Sequence, residues 1–166
     1  YTTLFRSRDI IRVGNTYYMV STTMHFAPGC GIMKSTDLVN WQIVNYAYDA
    51  LDEGDNFRLL NGQNEYSQGQ WATNLRYDPY ERMYYMLMTC NTTGKSYFYV
   101  TDDIENGRWH CSTTDKCYDP GLLFDDTGTQ MKKYVLHPAD TFDDHAMYLS
   151  ERRVDREWNV SVGEKR

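Results

Sequence analysis

Short runs of apolar and aromatic residues, separated by clusters of turn residues, make up most of this chain. Typical runs are YYMV, YYMLMT and SYFYV, and polar segments such as NTTG and DDTG separate runs of this kind. Tyr, Phe, Val, Ile and Thr favour extended, half-buried backbone, whereas Gly, Asn and Asp favour turns. No window of about 11 residues has the apolar period of a helix. The pattern therefore predicts an all-β protein.

Three segments of the chain resemble one another. In each, an aromatic strand opens at a tyrosine and is followed by a polar loop, a second strand, an acidic turn and a tryptophan. The pairs are separated by 23, 24 and 24 residues and are Tyr18 with Trp41, Tyr85 with Trp109, and Tyr134 with Trp158. A unit that recurs at this spacing indicates a repeat architecture. The three tryptophans share one position in the repeat, so we expect them to pack structurally.

A further apolar run precedes each repeat, at residues 9–13, 72–77 and 121–124. Each unit thus has four predicted strands, as a β-propeller blade does. We predict an all-β propeller of four-stranded antiparallel blades, with blade 1 at about 7–46, blade 2 at about 71–113 and blade 3 at about 118–162. Residues 45–70, polar and containing several Gly and Asn, form an inserted loop between the first two blades, and long loops in compact domains are usually functional.

Three blades do not close a ring, because propellers have about four to eight blades. We therefore expect the remainder of the propeller to follow Arg166.

Charge and composition narrow the classes of partner. A net charge of −6 and a pI of about 5.1 disfavour binding to a phosphate backbone, so nucleic acid is not an expected partner. No apolar run approaches the roughly 20 residues of a membrane-spanning helix, so no membrane partner is expected either. The 4 histidines and 4 cysteines lack the spacing of zinc ligands, and we predict no metal and no cofactor. The cysteines are predicted to be small buried thiols, although one disulfide is left open.

The first strands of successive propeller blades converge on the axis, where their ends line one shared pocket. Aligning SRDIIRV, ATNLRY and DPGLLF makes two sets of positions equivalent: Ser7 with Ala72 and Asp119, and Asp9 with Asn74 and Gly121. Asp119 then heads a strand that points into the pocket. Asp-Pro-Gly is also a common turn sequence, so a plain turn residue is the alternative.

Three separated motifs carry a resemblance to a known family. The segment DIIRVGNTYYMVSTTMHFAPGCGIMKSTDLVNW resembles the first blade of glycoside hydrolase family 43, five-bladed propeller enzymes that act on xylosides and arabinosides. QWATNLRY is similar to that family's W-A-P-[DS]-[IL]-R-Y strand, and YDPGLLFDD to its D-[PA]-S-L-F-x-D strand. The resemblance covers nearly the whole chain in family order and implies that about three of five blades are present. The branch of β-xylosidases and α-L-arabinofuranosidases is the most similar.

This resemblance implies inverting hydrolysis, in which one carboxylate activates water and a second carboxylic acid protonates the leaving oxygen across roughly 6.5–9.5 Å. Asp119 matches the family's third carboxylate, which tunes the pKa of the acid and orients it. Ser7 occupies the position of the water-activating base, and a serine hydroxyl has no useful basicity alone. Asp9, two residues further on the same strand face, is a candidate substitute base. The acid glutamate is expected beyond Arg166.

Four residues are candidates for substrate binding by the same resemblance. Trp71 would form an apolar wall of the sugar subsite, with a core tryptophan as the alternative. Phe26 matches a blade 1 loop that reaches the pocket, and His25 borders that loop. Asn74 lies where relatives carry Asp or Ser, and it either binds sugar or caps a strand.

The sequence thus predicts a glycoside hydrolase for xylose- or arabinose-containing plant polysaccharide fragments, such as those of xylan degradation. This chain would carry only part of the active site and be inactive alone. Because Ser7 replaces a carboxylate, a non-catalytic carbohydrate-binding propeller (a pseudoenzyme) is the alternative, and a protein-interaction propeller is the third hypothesis. We expect a secreted or periplasmic protein, with a cytoplasmic one as the alternative.

Overall fold

The computed structural model describes residues 8–24, 27–51, 54–66, 68–117, 120–126, 131–138, 147–154 and 160–165, with side chains described as far as residue 124. Regular structure in these ranges consists of β-strands. Their bounds are β1 Asp9–Val13, β2 Thr16–Val20, β3 Gly29–Ser35, β4 Gln42–Tyr48, β5 Gln70–Asp78, β6 Met83–Cys90, β7 Lys95–Thr101, β8 His110–Asp115, β9 Gly121–Asp126, β10 Met131–Pro138, β11 Met147–Val154 and β12 Val160–Lys165. Within the same ranges, no helix has the length and apolar character that crossing a membrane requires.

The strands form three antiparallel sheets of four strands each, β1–β4, β5–β8 and β9–β12, with neighbours in chain order. These are the predicted four-stranded blades, and the predicted fold class is confirmed. We call the sheets blades 1, 2 and 3. Strand β4 continues to Tyr48, beyond the predicted end of blade 1 at about residue 46, because Ala47 is buried and Tyr48 packs against the core.

The core lies between blades rather than inside one. One buried cluster joins blade 1 to blade 2 and includes Tyr18, Val20, Ile32, Leu75, Tyr84, Met86, Met88, Tyr99, Ile104 and Trp109. A second joins blade 2 to blade 3 and includes Tyr85, Leu87, Phe98, Val100 and Leu122. Alternate residues of β6 therefore contribute to different clusters, because successive side chains of a strand point to opposite faces. This is why β6 is continuously apolar rather than alternating.

The three inner strands lie side by side, with β5 next to both β1 and β9. A backbone bridge also joins blade 1 to β5, because Met24 and Gln70 exchange hydrogen bonds of 3.2 and 3.0 Å through their main-chain atoms. The start of β5 is thereby tied to the loop that follows β2.

The inserted loop is packed onto the blades. Phe57 is 8% exposed and belongs to the cluster between blades 1 and 2. Glu65 is 2% exposed and accepts hydrogen bonds from the side chains of Asn56 and Thr92. Since Thr92 lies in the turn between β6 and β7, the loop is fixed to blade 2.

All four cysteines are free thiols, so the disulfide that the sequence left open does not form. Cys30, Cys90 and Cys117 are buried, as predicted. Cys111 is exposed, contrary to the prediction, because it lies on β8, the outermost strand of its blade.

Candidate active site

A cleft of about 440 Å³ opens where the inner strands of the three blades meet. Its walls come from the three inner strands and the residues directly before β1 and β9, and consist of Arg8, Asp9, Ala72, Thr73, Asn74, Arg76, Pro120 and Gly121. The alignment of the inner strands made Asp9, Asn74 and Gly121 equivalent, and the structure brings these three residues to one cleft.

Strand β5 contains a bulge beside the cleft. Trp71 pairs with Thr89 and Asn74 with Leu87, so three steps along β5 are opposed by two along β6. Ala72 within the bulge has φ of 53°, a left-handed conformation that is uncommon for residues other than glycine. Because Thr89 and Leu87 share one face of β6, Trp71 and Asn74 share a face of the sheet although they are three residues apart. Bulges of this kind re-aim side chains next to active sites.

Asn74 joins blade 2 to the start of blade 3. Its side-chain amide donates hydrogen bonds to the carbonyl oxygen of Pro120 at 2.6 Å and to that of Ala72 at 3.1 Å. Pro120 lines the cleft, so this contact ties the start of blade 3 to β5 at the edge of the cleft. A hydrogen bond from Asn74 to sugar stays a prediction.

Asp9 joins blade 1 to blade 2. Its Oδ2 accepts hydrogen bonds from the backbone N of Leu75 at 3.0 Å and from Nη1 of Arg76 at 2.5 Å, and its Oδ1 accepts one from the backbone N of Ile10 at 3.0 Å. The ion pair with Arg76 is mostly buried, with side-chain exposures of 34% for Arg76 and 23% for Asp9. These contacts favour a positioning role for Asp9, and its role as substitute base stays a prediction.

Trp71 immediately precedes the cleft residue Ala72 and shares a face of the sheet with the cleft residue Asn74. Its indole is half-buried, and its Nε1 donates a hydrogen bond to the carbonyl oxygen of Gln68 at 2.9 Å. A half-buried indole held through its N–H can present a ring face to a ligand, as a sugar-stacking residue must. The other sequence-predicted site residues, Ser7, His25, Phe26 and Asp119, lie outside the described residues.

A buried polar network connects the cleft to the loop after β2. Gln70 is fully buried, and its Oε1 accepts hydrogen bonds from the backbone N of Thr23 at 2.8 Å and from its hydroxyl at 3.1 Å. The Gln70 amide donates to the hydroxyl of Thr73, which lines the cleft. Thr23 Oγ1 also accepts from the backbone N of Cys30 at 2.9 Å. The network fixes the loop after β2, the loop predicted to carry His25 and Phe26, against β5.

Sequence reasoning missed two residues of the site, Arg76 and Gln70. Each could have been noticed in the sequence as a polar residue within a predicted inner strand, because a charged or amide side chain there must find buried partners. In QWATNLRY these are the Gln at the start and the Arg near the end. The pattern does not identify the partners, since Asp9 is 67 residues from Arg76.

The buried thiol next to the cleft is structural. Cys30 is fully buried beside Thr73 and Met86, and burial raises the pKa of its thiol to about 12. A thiol with this pKa stays protonated near neutrality and is a poor nucleophile. Within the described ranges, no three His, Cys, Asp or Glu side chains cluster as they would around a metal ion.

Comparison with known sequences gives a consistent result. The sequence model described as glycosyl hydrolases family 43 matches residues 3–165. The chain is similar to a non-reducing end α-L-arabinofuranosidase of Bacteroides ovatus, with 36% identity over 78% of this chain and 23% of that protein. It is also similar to a β-xylosidase of Formosa agariphila, with 29% identity over 86% of this chain and 20% of that protein.

Comparison with solved structures agrees with the sequence comparison. A bifunctional GH43-CE protein of Bacteroides eggerthii is 40% identical and superposes with a TM-score of 0.79, over 98% of this chain and 20% of that chain. The chain therefore spans only about a fifth to a quarter of the length of these relatives.

Proposed function

Because the chain belongs to glycosyl hydrolases family 43, we propose that the complete protein hydrolyses glycosidic bonds in xylose- or arabinose-containing fragments of plant polysaccharides. The observation that carries this proposal is the cleft between the inner strands, where residues of the family's motifs in all three blades meet. The sugars are chosen because the similar proteins are named as a β-xylosidase and an α-L-arabinofuranosidase. A secreted or periplasmic location suits such substrates and belongs to the same proposal.

The proposed reaction is inverting hydrolysis. A carboxylate base removes a proton from water, the water oxygen attacks the anomeric carbon, and a carboxylic acid donates its proton to the departing glycosidic oxygen. Asp119 is the third carboxylate, whose negative charge disfavours ionisation of the acid and keeps it protonated. The acid itself is expected in the remainder of the propeller beyond Arg166, so this chain alone should show no turnover.

The proposed sugar subsite is formed by Trp71, Phe26, His25 and Asn74. The half-buried indole of Trp71, on the sheet face that Asn74 shares, supports the role of an apolar wall. The network around Gln70 supports the role of the His25–Phe26 loop, because it fixes the residues on both sides of that loop to β5.

The assignment of Asp119 is tested by Asp119→Asn in the complete protein, with nitrophenyl β-D-xylopyranoside and nitrophenyl α-L-arabinofuranoside as substrates. Without the negative charge of Asp119 the acid would lose its proton more readily, so we expect kcat/KM to fall by up to about 10²–10⁴, the usual contribution of general acid–base catalysis. Asp115→Asn is the matched control, because Asp115 is an exposed carboxylate at the end of β8. Equal activities of the two variants would remove Asp119 from the mechanism.

Proton NMR of the first-formed sugar, which should have the inverted anomeric configuration, tests the stereochemistry.

The sugar subsite is tested by Trp71→Phe and Trp71→Ala. Loss of a stacking ring removes binding to the sugar face, so we expect KM to rise in Trp71→Ala and to be largely restored in Trp71→Phe. An unchanged KM in Trp71→Ala would place the indole outside the subsite.

The pseudoenzyme is the second candidate function, favoured by Ser7 at the base position. A wild-type complete protein that binds xylose or arabinose without turnover, and that gains activity by orders of magnitude in Ser7→Asp, would establish it. A wild type that is already active means that another group serves as base. Asp9→Asn then shows whether that group is Asp9.

A further inference from the structure

A buried carboxylate lies in the inserted loop, six residues before Trp71. Glu65 is 2% exposed, and an acidic side chain is almost never buried to this degree unless its oxygens have partners. Two neutral groups are partners here, because the Asn56 side-chain amide donates to Oε1 and the Thr92 hydroxyl donates to Oε2. Asn56 belongs to the same loop and Thr92 to the turn between β6 and β7, so Glu65 holds the loop against blade 2.

The main chain of Glu65 is connected to the indole of Trp71 by two successive hydrogen bonds. The carbonyl oxygen of Glu65 accepts a hydrogen bond from the backbone N of Gln68 at 2.9 Å. The carbonyl oxygen of Gln68 accepts the hydrogen bond from Nε1 of Trp71, also at 2.9 Å. Glu65 thus anchors the backbone that supplies the hydrogen-bond acceptor of the indole.

Thr92 fixes the same backbone at a second point. Its Oγ1 accepts a hydrogen bond from the backbone N of Gly69 at 3.4 Å, and the carbonyl oxygen of Gly69 accepts one from the backbone N of Asn91 at 3.0 Å. Gly69 directly follows Gln68 in the chain. The Thr92 hydroxyl therefore links the carboxylate of Glu65 to the backbone next to the acceptor of the indole.

We propose that Glu65 is a positioning residue: through the Gln68 carbonyl oxygen it sets the orientation in which Trp71 meets a xylose or arabinose ring. An aromatic ring binds a sugar through one face, so a rotation of the indole weakens the contact. Small displacements of a substrate-positioning group are costly even when the altered residue lies far from the reacting atoms. The inference rests on the proposed function, because it takes Trp71 as the apolar wall of the sugar subsite.

The role predicts an effect on substrate binding rather than on the chemical step. The proposed reaction is carried out by carboxylates, whereas a stacked indole holds the sugar equally well before and during the reaction. Loss of such an interaction raises KM and leaves kcat unchanged. A glutamate that merely stabilised the loop would affect the melting temperature and leave KM unchanged, so KM separates the two roles.

Glu65→Ala and Glu65→Gln in the complete protein test the proposal, with the nitrophenyl glycoside that the wild type hydrolyses as substrate. We expect Glu65→Ala to raise KM about 5-fold, roughly the loss of one aromatic contact, with kcat nearly unchanged. Glu65→Gln should stay near the wild-type KM, because its amide oxygen can accept from Asn56 and its amide nitrogen can donate to the Thr92 hydroxyl. Asp55→Ala is the matched control and should leave KM unchanged, since this carboxylate of the same loop accepts a hydrogen bond from Asn61 within the loop.

A double-mutant cycle with Trp71→Ala shows whether Glu65 acts through the indole. We expect Glu65→Ala to add nothing to KM in the Trp71→Ala background, because the indole is already absent. KM increases that multiply would overturn the proposal. A KM in Glu65→Gln as high as in Glu65→Ala would also overturn it, because the charge rather than the position of the indole would then matter.

The cycle also separates failure of the inference from failure of the proposed subsite. An unchanged KM in Glu65→Ala beside a raised KM in Trp71→Ala would overturn the inference and leave the subsite intact. An unchanged KM in Trp71→Ala would remove the subsite itself, and the inference with it.

Three further arms keep the test decisive. Thr92→Val, which removes the hydroxyl and keeps the shape of the side chain, should raise KM in the same way and replaces Glu65→Ala if that variant does not fold. Dissociation constants for xylose or arabinose replace KM if the complete protein binds sugar without turnover. The indole N–H resonance of Trp71, identified by its loss in Trp71→Phe, should shift in Glu65→Ala and stay in place in Asp55→Ala. An unshifted resonance in Glu65→Ala would overturn the proposal.

Discussion

The turn before β4 in blade 1 and the turn before β8 in blade 2 share three hydrogen bonds to an aspartate, but their apolar residues differ in burial. Asp37 Oδ1 accepts hydrogen bonds from the backbone N of the second and third residues after it, at 2.9 and 2.7 Å. Asp103 Oδ1 accepts the same two bonds, both at 3.0 Å. In each turn, the asparagine three residues after the aspartate donates its side-chain amide back to it.

The surroundings of the two turns differ completely. Trp109 is 5% exposed in the core between blades 1 and 2, whereas Trp41 is half-buried and lines a groove of about 310 Å³. The same backbone turn thus serves as a buried contact in one blade and an open surface in the other. Local hydrogen bonds are encoded within the repeat, but burial depends on which blade lies beside it.

A polar contact also distinguishes the two turns. Glu105, in the turn before β8, accepts a hydrogen bond from the Tyr18 hydroxyl at 2.8 Å and forms an ion pair with Lys34 at 2.5 Å. Both partners belong to blade 1, so Glu105 fastens one blade to the next. The residue at the equivalent position of blade 1 is Val39, which is 78% exposed and carries no charge.

The largest effect should come from Trp109→Ala in the complete protein. Because the indole is buried between two blades, we expect the free energy of unfolding to fall by about 3–5 kcal/mol, the usual range for a buried aromatic residue. Urea unfolding followed by circular dichroism measures the loss. Trp41→Ala is the matched variant: a much smaller loss preserves the contrast between the turns, whereas an equal loss means that the turn before β4 is also covered.

A smaller effect is expected from Glu105→Gln. Hydrogen bonds from Lys34 and Tyr18 hold the pKa of Glu105 below its ordinary value of 4.5. The carboxylate therefore contributes stability that is fully present above pH 4.5 and is lost as the pH falls through its lowered pKa. The side chain is partly exposed, so the contribution at pH 7 should be about 1 kcal/mol or less.

Melting temperatures of wild type and Glu105→Gln, measured between pH 7 and pH 3, test this dependence on ionisation. The two curves should converge at the acid end of that range. Asp102→Asn, a change at an exposed carboxylate in the same turn, is the control and should leave the wild-type pH dependence unchanged. A gap between wild type and Glu105→Gln that stays constant with pH would show that ionisation of Glu105 is not involved.

The smallest expected effect is the difference between Asp37→Ala and Asp103→Ala. Hydrogen bonds from backbone N–H groups lower the pKa of both carboxylates, and Asp37 accepts one further hydrogen bond, from the Ser35 hydroxyl. Asp37→Ala should therefore lower the melting temperature at pH 7 slightly more than Asp103→Ala. A clearly larger loss for Asp103→Ala would mean that burial strengthens the turn itself, and the contrast drawn above would no longer be one of surroundings alone.

Repeat architecture could be predicted from sequence because its signals are local. The spacing from Tyr85 to Trp109 spans two paired strands and the turn between them, and these features are encoded within a few residues. The strand character of β6 was also visible, as a short aromatic and apolar run. The exposure of Trp41 was not, because it depends on a neighbour outside the repeat and not on the turn that holds the indole.

The candidate site was predictable to a similar degree. The alignment of the inner strands grouped Asp9, Asn74 and Gly121, and the structure places these three residues at one cleft. The contacts within the cleft were not predictable, since the pairing of Asp9 with Arg76 depends on how blades 1 and 2 are placed in space. The roles of Asp119, Ser7, His25 and Phe26 stay predictions.

The bulge in β5 separates the length of this strand from the direction of its side chains. Side chains along a regular strand alternate between faces, so two residues that are three apart, as Trp71 and Asn74 are, would point to opposite faces without the bulge. Deleting Ala72 would leave Trp71 and Asn74 two residues apart, and regular alternation would then keep them on one face. A relative that lacks both the extra residue and the bulge would therefore present the same two side chains on that face, and a one-residue alignment gap at this point does not by itself signal a changed site.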